Sequence, residues 1–202
     1  MKISLRVLTI GLFLKAVIHV AGQAPPPPPA PLIYSPPTKA EMTVYSEPNG
    51  IFKATFPGKP QERKLTLATH TETSYSVSRK GSLSNVSIIQ YGTSIESRSA
   101  AMIDIFRSNI AKLTRNPPSG IENAGKIISE SDLNINGMIW RIFEYETQFY
   151  FTHVALYIRK NQLFIVSSDV TNWHILKEYH PETVKEFDLE AERFLRSVIV
   201  SP

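Results

Sequence analysis

Apolar and polar residues alternate along most of the chain from Met42 onward, and the alternation predicts strands. Met42 to Tyr45 makes a short first strand and Ile51 to Phe56 a second, with Asn49-Gly50 as the turn between them. Phe56-Pro57-Gly58-Lys59-Pro60 stops the second strand, because proline has no N–H to give to a ladder. Lys64 to His70 and Thr73 to Arg79 alternate in turn. Arg79-Lys80-Gly81-Ser82 then reads as a hairpin turn, and Val86 to Tyr91 is apolar enough for a central strand. Here the period changes. Met102, Ile105, Phe106, Ile110 and Leu113 recur at helical spacing behind a Thr93/Glu96 capping-box pattern, so a helix is expected from about Ile95 to Arg115. Asn116-Pro117-Pro118-Ser119-Gly120 ends it.

A second β run follows: Lys126 to Leu133, Met138 to Thr147, Phe151 to Arg159 and Gln162 to Ser168. Asn136-Gly137 is a strong two-residue hairpin signal and Lys160-Asn161 turns the chain again, which makes the run an antiparallel meander. Asn172 to His180 reads as a loop with a helical turn. Pro181 suits the start of a last helix whose apolar face is Val184, Phe187, Ala191, Phe194 and Val198, and Ile199-Val200 adds a short edge. Strands, helix, meander, helix point to an α+β fold: an antiparallel sheet with two main helices packed on it.

The first 40 residues do not share this pattern. Lys2 and Arg6 precede an apolar stretch, Val7 to Leu14, and Val20-Ala21-Gly22 offers small residues for cleavage after Gly22. The stretch is too short, and Lys15 too central, for a span of about 20 residues. The alternative is an uncleaved amphipathic anchor. Pro25 to Pro29, Pro31, Pro36 and Pro37 hold eight of the fifteen prolines. Such a run is extended and semi-rigid, at about 3.1 Å per residue, and serves as a spacer or as a docking peptide for an aromatic groove. The expected organisation is a signal peptide over 1–22, a proline-rich linker over 23–40 and one globular domain over 41–202. The protein is expected outside the cytoplasm, periplasmic or extracellular, with no stable membrane insertion once the leader is cleaved.

Loss of the leader changes the charge. It removes Lys2, Arg6 and Lys15 and no acid, so 19 basic residues remain against 18 acidic ones and the net charge falls to about +1. That balance argues against nucleic acid as a partner, since phosphate binding needs a concentrated basic surface. The chain has no cysteine, so the fold rests on its core, and thiol nucleophiles, iron–sulfur clusters and cysteine zinc sites are excluded. No Gly-x-Ser-x-Gly elbow and no glycine-rich phosphate loop occurs. The expectation is therefore no enzyme activity and no cofactor.

Two groups of side chains stand out. Aromatics crowd the meander, and Trp140, Phe143, Tyr145, His153 and Tyr157 are the candidates for a ligand-binding surface, against core packing as the plainer reading. His174, Glu178 and His180 are candidate metal donors, against a solvated polar loop. His70 and Glu72 share a strand face, and so do Glu144 and Glu146. Arg79-Lys80 and Arg159-Lys160 would form a basic rim if their turns lay at one end of the sheet.

Asn49-Gly50-Ile51-Phe52-Lys53-Ala54-Thr55-Phe56-Pro57-Gly58-Lys59-Pro60 resembles the opening of small exported bacterial domains of unknown function, in which a strand "F-x-x-x-F-P-G-K-P" begins the fold. Glu192 to Val198 resembles their closing helix, "x-x-F-L-x-S-F", with Val198 in place of the usual aromatic. The resemblance covers about Val44 to Val200. It implies a fold similar to the PsbP-like α/β/α sandwich of photosystem II extrinsic proteins and an accessory role outside the cytoplasm, and it carries over no catalytic residue. The functional expectation is a non-catalytic accessory or interaction module on a proline-rich stalk, with an unknown protein or small ligand as partner. The alternative is a small-ligand or metal-binding protein using the aromatic meander or the His174–His180 loop.

Overall fold

The computed structural model describes residues 41–79, 81–113, 126–147 and 150–201. The expected leader, the linker, the helix stop at 116–120 and Lys80 of the first basic turn lie outside them. The described residues fall in one compact unit, and no helix among them is long and apolar enough to cross a membrane.

Among the described residues ten strands form two sheets, and every pairing is antiparallel. The small sheet holds β1 (Thr43–Ser46), β2 (Phe52–Phe56) and β10 (Ile199–Val200), with β2 in the middle. The large sheet runs β3 (Gln61–Thr66), β4 (His70–Arg79), β5 (Ser82–Tyr91), β9 (Gln162–Thr171), β8 (Tyr150–Arg159), β7 (Met138–Glu146), β6 (Lys126–Ile135). After β5 the chain turns through a short 3₁₀ segment, Glu96–Arg98, into helix α1 (Ser99–Leu113). It re-enters at the far edge as β6 and returns strand by strand until β9 meets β5. Two further helices, α2 (Trp173–Tyr179) and α3 (Pro181–Ser197), precede β10.

The main core lies between one face of the large sheet, the inner face of the small sheet and α3. Phe52, Ala54 and Phe56 point inward from β2 and meet Trp140, Ala155, Phe164 and Val166 from the large sheet and Phe194 and Leu195 from α3. The two family-like motifs come together here. The Phe56 and Phe194 rings lie 5.1 Å apart, and the Thr55 amide donates to Ser197 Oγ at 2.9 Å. On the other face of the sheet, Phe106 of α1 packs on Phe143 at 5.4 Å. Arg107 reaches the Glu130 carboxylate from the same helix with contacts of 3.0 and 2.6 Å.

Several sequence expectations are corrected. Glu96 caps no helix: its carboxylate accepts the Lys160 amide of the β8–β9 turn at 2.7 Å, so the expected start at Ile95 becomes a 3₁₀ turn and α1 begins at Ser99. His70 does not end a strand. The Leu67 amide donates to the His70 carbonyl at 2.9 Å across a tight turn, and His70 opens β4. The helical turn expected within a loop over Asn172 to His180 extends to a helix over 173–179, because Trp173 and Leu176, one turn apart, are both buried and Trp173 stacks on Phe151 at 4.3 Å. The basic turns lie at opposite ends of the sheet. Tyr91 of β5 bonds the β8–β9 turn at Asn161, whereas Gly81 of the β4–β5 turn bonds Thr171 at the other end of β9. No common basic rim forms, and Arg79 is held by Glu190 of α3 through contacts of 2.9 Å. The Asn136-Gly137 hairpin is as expected, with positive φ at both residues (54° and 81°).

Candidate functional site

The meander aromatics divide between two cores. Trp140 is fully buried in the main core and lies 5.1 Å from Tyr157. Phe143, also fully buried, and Tyr145 point to the α1 face. Adjacent residues on a strand point to opposite sides, and each side is covered, so the five named residues do not line one pocket. His153 lies on the α3 face beside Phe151. Its Nδ1 is 3.2 Å from Glu144 and its Nε2 3.2 Å from Asp188 of α3. Ser129 donates to Glu144 at 2.8 Å, so the serine faces the carboxylate and not the imidazole. Both ring nitrogens are occupied, and the group acts as a tie between α3 and the sheet.

His174 and Glu178 are exposed on α2, and His180 lies 3.8 Å from Glu182. Among the described residues no three His, Asp or Glu side chains converge as metal donors. His70 and Glu72 do share a face, at the end of β4 beside Tyr91. Burial lowers the His70 pKa and raises those of Glu72 and Tyr91.

The α1 face of the large sheet is itself split. Leu156, Ile165, Leu163 and Ile89 make its apolar part. Much of the rest is polar, although Phe143, Val154 and Leu83 also face this side and Leu83 pairs with Asp169. Tyr145, Thr152 and Asp169 lie side by side across β7, β8 and β9. The next row holds Val154, Ser167, Asn85 and Ser76, and Ser87 pairs with Ser74 one step further. Asn85 donates to Ser87 Oγ at 3.0 Å. Thr152 donates to Asp169 at 2.7 Å. Burial pushes the Asp169 carboxyl up to about 6, against the Thr152 bond and the charge of His153, which favour the carboxylate. Burial and the Asp169 charge raise the hydroxyl pKa of both Tyr145 and Tyr150. The signal was present as a serine at every second position, Ser74, Ser76 and Ser78. The same strand turns Tyr75 and Val77 to the core.

A concavity lies between α1 and the meander. It encloses about 250 Å³ and is lined by Ser99, Ile103, Ile139, Arg141, Leu156 and Ile158, among others. Arg141 is drawn to Glu130 and Asp132, at 3.3 and 3.0 Å.

The chain is similar to the solution structure of cyanobacterial PsbP from Synechocystis sp. PCC 6803, with a TM-score of 0.45 and 12% identity over 83% of this chain and 97% of that one. It is also similar to PA94 from Pseudomonas aeruginosa, a protein of unknown function, with a TM-score of 0.37 and 14% identity over 80% of this chain and 98% of that one. No family model and no curated protein matches the chain.

Proposed function

We propose that the chain is an exported, non-catalytic binding module. Its leader delivers it, its proline run holds the domain off as a stalk, and the polar part of the α1 face is the seat for its ligand. The observation that carries this reading is the concentration of serine, asparagine, threonine and aspartate, interleaved with Tyr145, Val154 and Leu83, on one part of a sheet face whose other part is apolar. A sheet face that only packs gains from apolar side chains, and buried polar groups need a compensating partner. Two further observations support it. Trp140 and Phe143 are used up in packing, and both His153 nitrogens are turned to carboxylates. The sheet edges discourage strand addition by a partner: β3 carries Gln61, Glu62, Arg63 and Lys64, and β6 has an irregular register between Ile127 and Ser129.

A second reading, a small apolar ligand at the meander, is favoured by the α1 groove, where Ile139 is 67% exposed.

A thermal-shift panel of wall fragments, polar small molecules, hydrophobic ligands and divalent metals separates the two readings. A ligand at 100 times its Kd stabilises by about 2.7 kcal/mol. A shift with polar ligands that disappears in Asn85→Ala supports the polar seat. A shift with apolar ligands that disappears in Ile139→Glu supports the groove instead. Mass analysis of the exported chain checks the leader, with Gln23 the expected first residue.

A further inference from the structure

We propose that the polar strip around Asp169 binds a hydroxyl-bearing primary ammonium ligand of the amino-sugar class, with the Asp169 carboxylate as its counter-ion. The inference rests on the polar face being a ligand seat and names what sits there.

Among the described residues burial acts on the carboxylates of Glu47, Glu72 and Asp169. Glu72 has the charge of Arg63 to offset it, and the other two are treated differently. Glu47, 4% exposed, receives the Asn49 amide and side-chain N–H at 2.8 Å each, the Ile51 amide at 3.1 Å and the Tyr75 hydroxyl at 3.4 Å. It is satisfied by its own turn. Asp169, partly buried, receives a hydrogen bond from Thr152 alone, and among the described residues no lysine or arginine pairs with it. A carboxylate in such a place is destabilised unless a cation or several donors reach it. The fold supplies one donor, Thr152, and the charge of His153 acts only from the other side of the sheet, so an outside cation in direct contact still has a gain to make there.

The neighbours narrow the cation. Tyr145 stands next to Thr152, and Tyr150 lies on the same face two residues along β8, so phenol rings flank the carboxylate. Aromatic faces attract ammonium groups and offer a flat surface to a sugar ring. Ser167, Asn85 and Ser76 continue the row with hydroxyls and an amide that can donate to and accept from ligand hydroxyls. A metal ion would call for more charged donors than one carboxylate. An organic ammonium needs one, and hydroxyls suit the rest of the row.

The test uses the purified chain with glucosamine oligomers and their N-acetylated counterparts, which differ by the charge on nitrogen. Calorimetric titration is expected to show the amine form binding at least about tenfold more tightly than the amide form. Asp169→Asn keeps an acceptor for Thr152 and is expected to abolish that preference. The comparison of the two oligomers on the unaltered protein stands even if the variant folds poorly. Binding of the amine should pass through a maximum, weakening as pH falls through about 6, where Asp169 takes up its proton, and again at higher pH, where the amine loses its charge. Tyr145 and Tyr150 are held protonated over that range. His153 acts on Asp169 through its charge from the opposite side of β8, so the profile is compared with that of His153→Gln. Equal binding of amine and amide, or a preference that persists in Asp169→Asn, overturns the assignment while leaving the seat in place. Binding of neither form overturns it as well, and the thermal-shift panel then decides separately whether the polar face binds anything.

Discussion

The Thr55 amide donates to Ser197 Oγ at 2.9 Å across 142 residues of chain. The same hydroxyl donates to the Phe194 carbonyl at 2.7 Å. One serine therefore closes the end of α3 and fixes it to the central strand of the small sheet, beside the Phe56–Phe194 contact. Ser197→Ala is expected to lower stability by about 1 kcal/mol, because it leaves an amide without its partner. Urea denaturation measures this. An unchanged midpoint would show that the serine only follows the packing of the two phenylalanines.

His153 joins the same helix to the other sheet. Its side chain is 12% exposed, and it stands between Glu144 and Asp188. His153→Leu removes both contacts and leaves two carboxylates without the ring, so a loss of about 1–3 kcal/mol is expected. Asp188 is 44% exposed, and water can replace the ring there, so Asp188→Asn should cost less than about 1 kcal/mol. Amide exchange along α3 should rise in the first variant and hardly in the second. Equal effects in the two would contradict the tie.

Asp169 sets a stability dependence of unusual sign. Its ordinary value is 3.8 and its folded value about 6, so between these the folded state holds more proton than the unfolded one. Stability contributed by this group is therefore present at low pH, falls as pH rises from about 4 to about 6, and stays lost above that. Asp169→Asn should stabilise the fold by about 1–3 kcal/mol at pH 8 and by almost nothing at pH 4. Denaturation of both proteins at the two pH values tests this. No gain at pH 8 would mean the carboxylate is already compensated, and the case for an ammonium ligand would weaken with it.

The fold was largely legible in the sequence because its signals are local. Asn136-Gly137 specifies its turn through backbone preference alone, and the alternation of Ile51 to Phe56 identifies which side chains enter the core. What was hidden depended on partners distant in sequence. Glu96 looked like a cap because nothing local shows that Lys160 comes within 2.7 Å of it. Residues 173–179 looked like a loop with a helical turn because their helix depends on Phe151 to stack on Trp173. The candidate site suffered most. Aromatic density drew attention to Trp140 and Phe143, yet bulk on both faces of one strand signals two cores rather than a groove. The polar strip is assembled from single residues of β4, β5, β7, β8 and β9, and no one strand shows it, except in the alternating serines of β4.

Gly58 explains why the strand-end motif contains glycine. Its φ is +134°, a backbone conformation that side chains rarely adopt, and a Cβ there would stand 3.3 Å from Val77 Cγ1. Val77 is part of the main core, so it has little room to yield. Both terms act together in Gly58→Ala, and a loss of about 1–3 kcal/mol is expected. Gly92 provides the control. It has an ordinary φ and nothing within 4 Å of its added Cβ, so Gly92→Ala should be neutral or stabilise slightly, since alanine restricts the unfolded chain. Thermal and urea unfolding of the two variants should separate them clearly. If Gly58→Ala behaves like Gly92→Ala, the glycine is not required by the turn into β3, and the motif must be kept for a reason outside the backbone.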